Sequence, residues 1–180
     1  MRGVRGTSDP FSIRDATLAD APELATLARE TYAAAFGASM SADDLAAHLD
    51  RNLSDACVRG YLVEDVVLVA VQSGALVGFA QLGAARGPRT DVVRELRRLY
   101  VRTDLIGRGI GSRLLEAALA HPVSAQADAI ELDVWERNVA AQRLYARYGF
   151  GIVGSRIFEV ASGAATGLDL VMRRRQARSR

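Results

Sequence analysis

Leu24, Leu27, Ala28, Thr31, Tyr32 and Ala35 recur at the i, i+3, i+4, i+7 spacing of a helix with one apolar face. Asp20, Pro22 and Glu23 stand at its start as N-cap acceptor, first-turn proline and capping-box carboxylate, and Gly37 ends it. A strand over Ser12 to Ala16 precedes this helix. Ser41 and Asp44 open a second helix with Leu45, His48 and Leu49 on one face. Ser54 to Asp65 reads as a short helix or turn. The β-rich runs Val66 to Gln72 and Ala75 to Leu82 flank Ser73-Gly74, a hairpin signature. After a loop from Gly83 to Thr90, the pattern predicts a strand over Val92 to Val101 and a helix over Gly109 to Leu119, with Ile110, Leu114, Leu115 and Ala118 on one side. A strand over Ala129 to Trp135 and a helix over Val139 to Tyr148 follow. Two further strand-like runs, Ile152 to Val160 and Leu168 to Met172, are separated by Ser162-Gly163. Antiparallel strands first and a strand-helix-strand-helix unit later predict a mixed-sheet α/β fold.

The 180 residues suit one domain, with no internal repeat and no dividing linker. We expect a lead over residues 1–10, the domain over 11–173 and a basic tail over 174–180. At 49% hydrophobic and 24% charged, the chain is neither disordered nor a coiled-coil array. All 23 basic residues are arginine, which excludes a Walker-type phosphate lysine, a Schiff-base lysine and a self-acylated lysine. Five of them fall in Arg173 to Arg180, and removing those charges from the net +2 leaves the first 172 residues at −3. The pI near 9.0 is therefore expected to describe a tail rather than a basic body, and a nucleic-acid partner is not expected. Cys57 stands alone, and His48 with His121 make too small a set for zinc, so neither a disulfide nor a metal is expected. The longest apolar run, Val66 to Val71, falls far below the roughly 18 residues of a membrane span. No apolar stretch follows Arg2 and Arg5 as in a secretion signal, so the expected location is the cytoplasm.

Chemistry concentrates where Glu95-Leu96-Arg97-Arg98-Leu99-Tyr100-Val101 leads through a short loop into Ile106-Gly107-Arg108-Gly109-Ile110-Gly111-Ser112 and a helix. Glycines two apart at a strand-to-helix turn let backbone N–H groups converge on an anion, and the helix N-terminus adds positive potential. A phosphate site is the functional reading, and a plain tight turn is the alternative. A dinucleotide fingerprint needs a third glycine where Ser112 stands, and a Walker loop needs Gly-Lys, so both are excluded.

This segment resembles the diphosphate loop of the GNAT superfamily of acetyl-CoA-dependent N-acetyltransferases, Gln/Arg-x-x-Gly-x-Gly/Ala after a Leu-Tyr-Val strand. Gly109 and Gly111 match, while Ile106 occupies the Gln/Arg position. A second block, Val134 through Asn138, Ala141 and Tyr145 to Gly149-Phe150, resembles the family's downstream strand-loop-helix motif. The likeness runs from Ile13 to Met172. It implies a GNAT fold: an α/β architecture with a mixed, mostly antiparallel sheet of about seven strands, flanking helices and a splayed central strand pair.

The resemblance further implies acetyl-CoA as co-substrate and a small-molecule amine acceptor, with direct attack in a ternary complex. Leu99, Tyr100 and Val101 would meet the pantetheine and thioester, and Gly107, Arg108, Gly109, Ile110, Gly111 and Ser112 the diphosphate. Asn138 is either an N-cap or an amide contact to the pantetheine, or both. Tyr145 would protonate or hydrogen-bond the leaving thiolate, a phenol of pKa about 10 against a thiol of about 8.5, with aromatic packing near Tyr148 as the alternative. Arg143 and Arg147 either approach the phosphates or form a solvated face. Glu95 is the first candidate for general base, with solvent exposure or a pair with Arg97 as its alternatives, and Asp133 is the second. Trp135 packs in the core or rims the cleft.

Within the superfamily the chain is most similar to bacterial spermidine/spermine N-acetyltransferases, through the Glu-Leu-x-x-Leu-Tyr-Val strand, the Val-Trp-Glu-x-Asn loop and Thr31, Tyr32 and Phe36. Asp43, Asp44, Asp50 and Asp55 would then focus negative potential on a polycation, or simply solvate a surface. A ribosomal-protein-type N-terminal acetyltransferase and a non-catalytic acetyl-CoA-binding regulator are the alternatives. A homodimer is common for the fold.

Overall fold

The computed structural model describes residues 11–85, 87, 91–159 and 165–176. Along them run β1 (Ser12–Asp15), α1 (Ala21–Phe36), α2 (Ala42–Asn52), α3 (Asp55–Glu64), β2 (Val66–Gln72), β3 (Ala75–Ala84) and β4 (Val93–Val101). Then come α4 (Ile110–Ala120), the four-residue α5 (Pro122–Ala125), β5 (Ala129–Trp135), α6 (Val139–Arg147), β6 (Gly151–Glu159) and β7 (Ala165–Arg175). The strands form one seven-stranded sheet in the order β1-β2-β3-β4-β5-β7-β6. Every neighbouring pair is antiparallel except β4 with β5. The expected α/β fold and strand number are therefore found, and no helix among the described residues is long and apolar enough to cross a membrane.

Local chemistry accounts for most element ends. Ser73 and Gly74 both take positive φ, 52° and 82°, the geometry of a two-residue turn whose twist matches that of β2 and β3. The Ser41 hydroxyl accepts the Asp44 amide at 3.1 Å to cap α2, and Ser54 caps α3 through the Cys57 amide at 3.3 Å. The start of α1 differs from expectation. The Asp20 carboxylate takes two guanidinium hydrogen bonds from Arg14, at 2.7 and 2.8 Å, and the Thr17 amide at 2.7 Å. It closes the 3-10 turn Leu18–Asp20 instead of capping α1, because a cation with an amide outcompetes a lone helix amide. Glu23 likewise leaves the capping position and accepts the Leu76 amide at 2.7 Å, tying α1 to the start of β3.

Two strands outrun their sequence patterns. β3 continues through Gly83 and Ala84, which pair with Glu95 and Arg94 rather than opening a loop. β7 continues through Arg175, so the boundary expected at 173 falls inside a strand. Arg173 meets Glu131 at 3.0 Å and also pairs with Asp91, which explains why a strand tolerates it. Three of the five arginines assigned to a tail are thus sheet residues, and the basic pI does not describe a tail alone. The lead over residues 1–10, the turn at Ser162-Gly163 with Val160, most of the Gly83–Thr90 loop beyond Ala85 and residues 177–180 lie outside the described residues.

The sheet separates two cores. Ile110, Leu114, Leu115 and Ala118 of α4 pack on one face with Leu96, Ile130, Leu132 and Met172, while Leu24, Leu27, Ala28 and Tyr32 of α1 pack on the other with Val67, Val69 and Phe79. Gly78 permits the approach of α4: a methyl there would stand 2.9 Å from the Tyr100 carbonyl oxygen and 3.1 Å from Leu114.

The site depends on β4. Its register with β3 jumps from Leu96 opposite Leu82 to Arg98 opposite Gln81, so Arg97 is the extra residue of a bulge. Arg97 leaves the ladder to pair with the buried Asp65 at 2.7 Å, passing over Gly83, where any side chain would collide with it. The bulge shifts the alternation so that Leu96, Leu99 and Val101 all join the α4-side core, while Tyr100 joins the α1-side core and Arg98, two residues before it, shares its face. β4 and β5 pair only through Val93–Glu95 with Ala129–Glu131. Beyond those three positions β4 pairs with β3 alone and β5 with β7 alone.

Gly78→Ala is expected to destabilise the protein by about 1–3 kcal/mol through overpacking under α4, read from the urea midpoint. An unchanged midpoint would contradict the close approach. The lowered pKa of Asp20, caused mainly by Arg14, makes a second expectation. Asp20→Asn costs about 1 kcal/mol at neutral pH, and the difference from the parent persists down to about pH 4 and fades below it. A difference that grew on acidification would contradict this sign.

Candidate active site

A cleft of about 610 Å3 opens where β4 and β5 part, walled by the start of α4, by α6 and by α1. Parting leaves the β4 edge that faces β5 without a partner strand from Leu96 onward. Leu99, Tyr100 and Val101 line the cleft along that edge; Tyr100 pairs its amide and carbonyl with β3, so the main-chain groups that face the cleft are those of Leu99 and Val101. At the mouth, Gly107 and Gly109 adopt φ of 84° and 83°, a left-handed conformation that suits glycine. They turn the chain into α4, whose first amide with a helical acceptor is that of Arg113, bonded to the Gly109 carbonyl at 3.0 Å. The amides of Ile110, Gly111 and Ser112 precede it, all three residues line the cleft, and the helix adds positive potential there. Such an arrangement holds an anion, and a phosphate fits it.

From the other wall, α6 presents Tyr145. The residue is 8% exposed, its ring stands edge-on to Phe150 at 5.9 Å, and its hydroxyl has no hydrogen-bond partner among the described residues. Burial pushes the phenol pKa well above its ordinary value, so it stays protonated across the working range and is available as a donor. Asn138 caps α6, its Oδ1 accepting the Ala141 amide at 3.1 Å, and the residue also lines the cleft. Both readings of Asn138 are therefore compatible: the oxygen is committed to the cap and the amide nitrogen is not.

Not every expected residue arrives at the cleft. Glu95 lies in the paired part of β4, opposite Gly83 and Glu131, with its carboxylate 3.8 Å from the Arg97 Nε, and it is not part of the lining. Arg108 and Arg143 are exposed and stand outside the lining, whereas Ile106 and Arg147 belong to it. Asp133 does line the cleft and meets Arg156 at 3.1 Å. Trp135 rims it, 6.0 Å from Phe36 of α1. The four acidic residues of the helical region stay away: Asp50 pairs with Arg29 at 3.0 Å, Asp55 with Arg59 at 2.7 Å, and Asp43 and Asp44 sit in the first turn of α2.

Sequence reasoning missed Arg98 and Asp169. The signal for Arg98 was its i, i+2 relation to Tyr100, which places both on one face of β4. Asp169 was detectable as the carboxylate in the apolar run Leu168 to Met172, but only the register opposite Trp135 shows where it faces. Burial raises its pKa, and the nearby Asp133 adds to the rise.

Comparison with known proteins agrees with this geometry. The chain matches the Acetyltransferase (GNAT) family over residues 22–150. It is 36% identical over 157 residues to an uncharacterized N-acetyltransferase of Mycobacterium tuberculosis, covering 86% of this chain and 97% of the relative. A spermine/spermidine N(1)-acetyltransferase of Bacillus subtilis is 33% identical over 91 residues, 47% of this chain and 59% of that protein. Among solved structures, the paia N-acetyltransferase of Thermoplasma acidophilum in complex with coenzyme A superposes with a TM-score of 0.72 at 20% identity, covering 92% of this chain and 98% of that one.

Proposed function

The chain belongs to the GNAT acetyltransferase family, and on that premise we propose that it moves an acetyl group from acetyl-CoA to the primary amine of a small molecule held in the same cleft. One observation carries the reading: the free amides at the start of α4, the unpaired edge of β4 and the Tyr145 hydroxyl converge on a single space. When bound, acetyl-CoA supplies an acetyl group activated as a thioester. The amides of Ile110 to Ser112 hold its diphosphate, with Gly107 and Gly109 shaping the turn and Arg108 adding charge from outside. The main chain of Leu99 and Val101 takes the amide groups of the pantetheine as a neighbouring strand would, Tyr100 turning its own amide and carbonyl to β3, and the Asn138 amide nitrogen adds a donor. Arg147, rather than the outward Arg143, is the α6 arginine placed beside the phosphates.

The Tyr145 hydroxyl, kept protonated by burial, donates a hydrogen bond to the departing sulfur, and the raised pKa favours that donor role over full transfer of the proton. Asp133 is the carboxylate that the cleft offers to the amine. Glu95, outside the lining and beside Arg97, is the less favoured base. A polyamine acceptor draws support from the Bacillus subtilis likeness, but the acidic residues that motivated it do not face the cleft.

Tyr145→Phe is expected to lower kcat at least about tenfold while acetyl-CoA affinity stays within about twofold. Lost affinity with unchanged kcat would make Tyr145 a packing residue. Acetyl transfer is best read as product mass, because Cys57 would react with a thiol dye. An acetylated small amine supports the proposal, whereas acetylation of a short peptide alone would move the assignment to protein N-termini.

A further inference from the structure

Arg98 is a half-buried cation at the cleft whose charge no carboxylate among the described residues meets by an ion pair. A guanidinium drawn out of water is costly unless paired, and Arg97, its neighbour in the chain, is paired with Asp65. Arg98 is nonetheless firmly positioned. One terminal nitrogen donates to the Gln81 Oε1, the other to the Tyr61 hydroxyl at 3.2 Å, and the guanidinium lies over the Tyr61 ring at 4.5 Å. The supports are themselves held: Gln81 is 1% exposed and donates to Asp65 at 2.6 Å, and the Tyr61 hydroxyl donates to the Asn52 carbonyl. This uses two of the five N–H donors that the planar fork carries.

What Arg98 faces follows from the alternation of the strands. It shares a face of the sheet with Tyr100, the face covered by α1. On β5, Leu132 and Val134 point to the α4-side core, so Asp133 and Trp135 point to the α1 side, and Asp169 of β7 stands directly opposite Trp135. Across the parted strands, the cleft therefore carries Arg98 on one flank and Asp133 on the other, with Asp169 next to Trp135 on the same face of the sheet and outside the lining itself. Phe36 reaches over the cleft to Trp135. Arg156 meets Asp133 at 3.1 Å on this flank.

We propose that the acceptor is a small amino carboxylate, with its carboxylate bound in the fork of Arg98 and its amine on the Asp133–Asp169 side. A polycation would be repelled by Arg98 at one end of this cleft. A zwitterion matches both ends, and a planar guanidinium recognises a carboxylate through two parallel hydrogen bonds. The inference rests on the cleft being an amine acetyltransferase site, and it makes Arg98 the residue that sets specificity.

The test is a titration of the full chain, with and without coenzyme A, by L-amino acids, by the carboxamide of each, and by spermidine, followed by kinetics with acetyl-CoA for every ligand that binds. At least one amino acid is expected to bind at least about tenfold more tightly than its carboxamide and more tightly than spermidine. Arg98→Gln should shrink that preference to within about twofold by raising KM for the acid, with kcat and coenzyme A affinity little changed, while Arg98→Lys retains part of it. The thermal midpoint of each variant, with its coenzyme A affinity, separates a recognition effect from loss of the Gln81 and Tyr61 bonds. Carboxamides or spermidine bound as tightly as the acids, or an Arg98→Gln loss equal for acid and amide, would overturn the proposal. Failure to bind coenzyme A would count against the acetyltransferase reading instead, and the titration without coenzyme A would still decide the role of Arg98.

Discussion

Two parallel strands that share only three paired positions must leave their remaining facing edges to something other than each other. That constraint, imposed where β4 and β5 part after Glu95 and Glu131, organises the molecule around the cleft. Its local anchor is the bulge at Arg97, whose guanidinium reaches Asp65 at the end of α3 over a residue that must be glycine. A buried ion pair of this kind contributes little net stability, yet removing one partner leaves a charge uncompensated, so the pair fixes geometry more than it adds energy. With the bulge in place, Leu96, Leu99 and Val101 are drawn to α4, and β4 ends beside the turn that starts that helix.

The same strand then divides the labour of the site between its faces. In the proposed function, main-chain groups along the open edge, together with the first amides of α4, would serve a ligand recognised by its amides and phosphates. Such recognition requires few particular side chains, and Ile106 in place of a polar residue is tolerable for that reason. The α1-side face carries Arg98 and Tyr100 and looks across to Asp133, Trp135 and Asp169. Under the proposal, side chains there would decide what fits, and Tyr145 of α6 lines the same cleft.

Most of the fold was legible from local chemistry. The Ser73-Gly74 turn, the serine caps of α2 and α3 and the limits of β5 follow from residue type and spacing. The glycine turn and the helix from Asn138 to Tyr145, singled out in the sequence, both line the cleft. What escaped was set by partners distant in sequence. Asp20 left its cap for Arg14, Glu23 for the Leu76 amide, and β7 ran into arginines because Glu131 and Asp91 await Arg173. Glu95, chosen because it stands on the cofactor-side strand before Leu99, lies in the part of β4 still paired with β5 and outside the lining, a placement that only the pairing of the two strands reveals. The i, i+2 spacing put Arg98 on the face of Tyr100, but which side of the sheet that face takes relative to Leu96 is set by the bulge at Arg97, a property of two strands rather than one.

The central claim is that the open edge of β4 and the first turn of α4 together receive acetyl-CoA. It is tested most directly by following the backbone amides of the 15N-labelled protein by NMR as coenzyme A is added. The account predicts that the largest shifts and the gain in exchange protection fall on Leu99 to Val101 and on Gly109 to Ser112, with β1, β6 and α2 unmoved. Shifts centred elsewhere, or saturation without change at those residues, would contradict it.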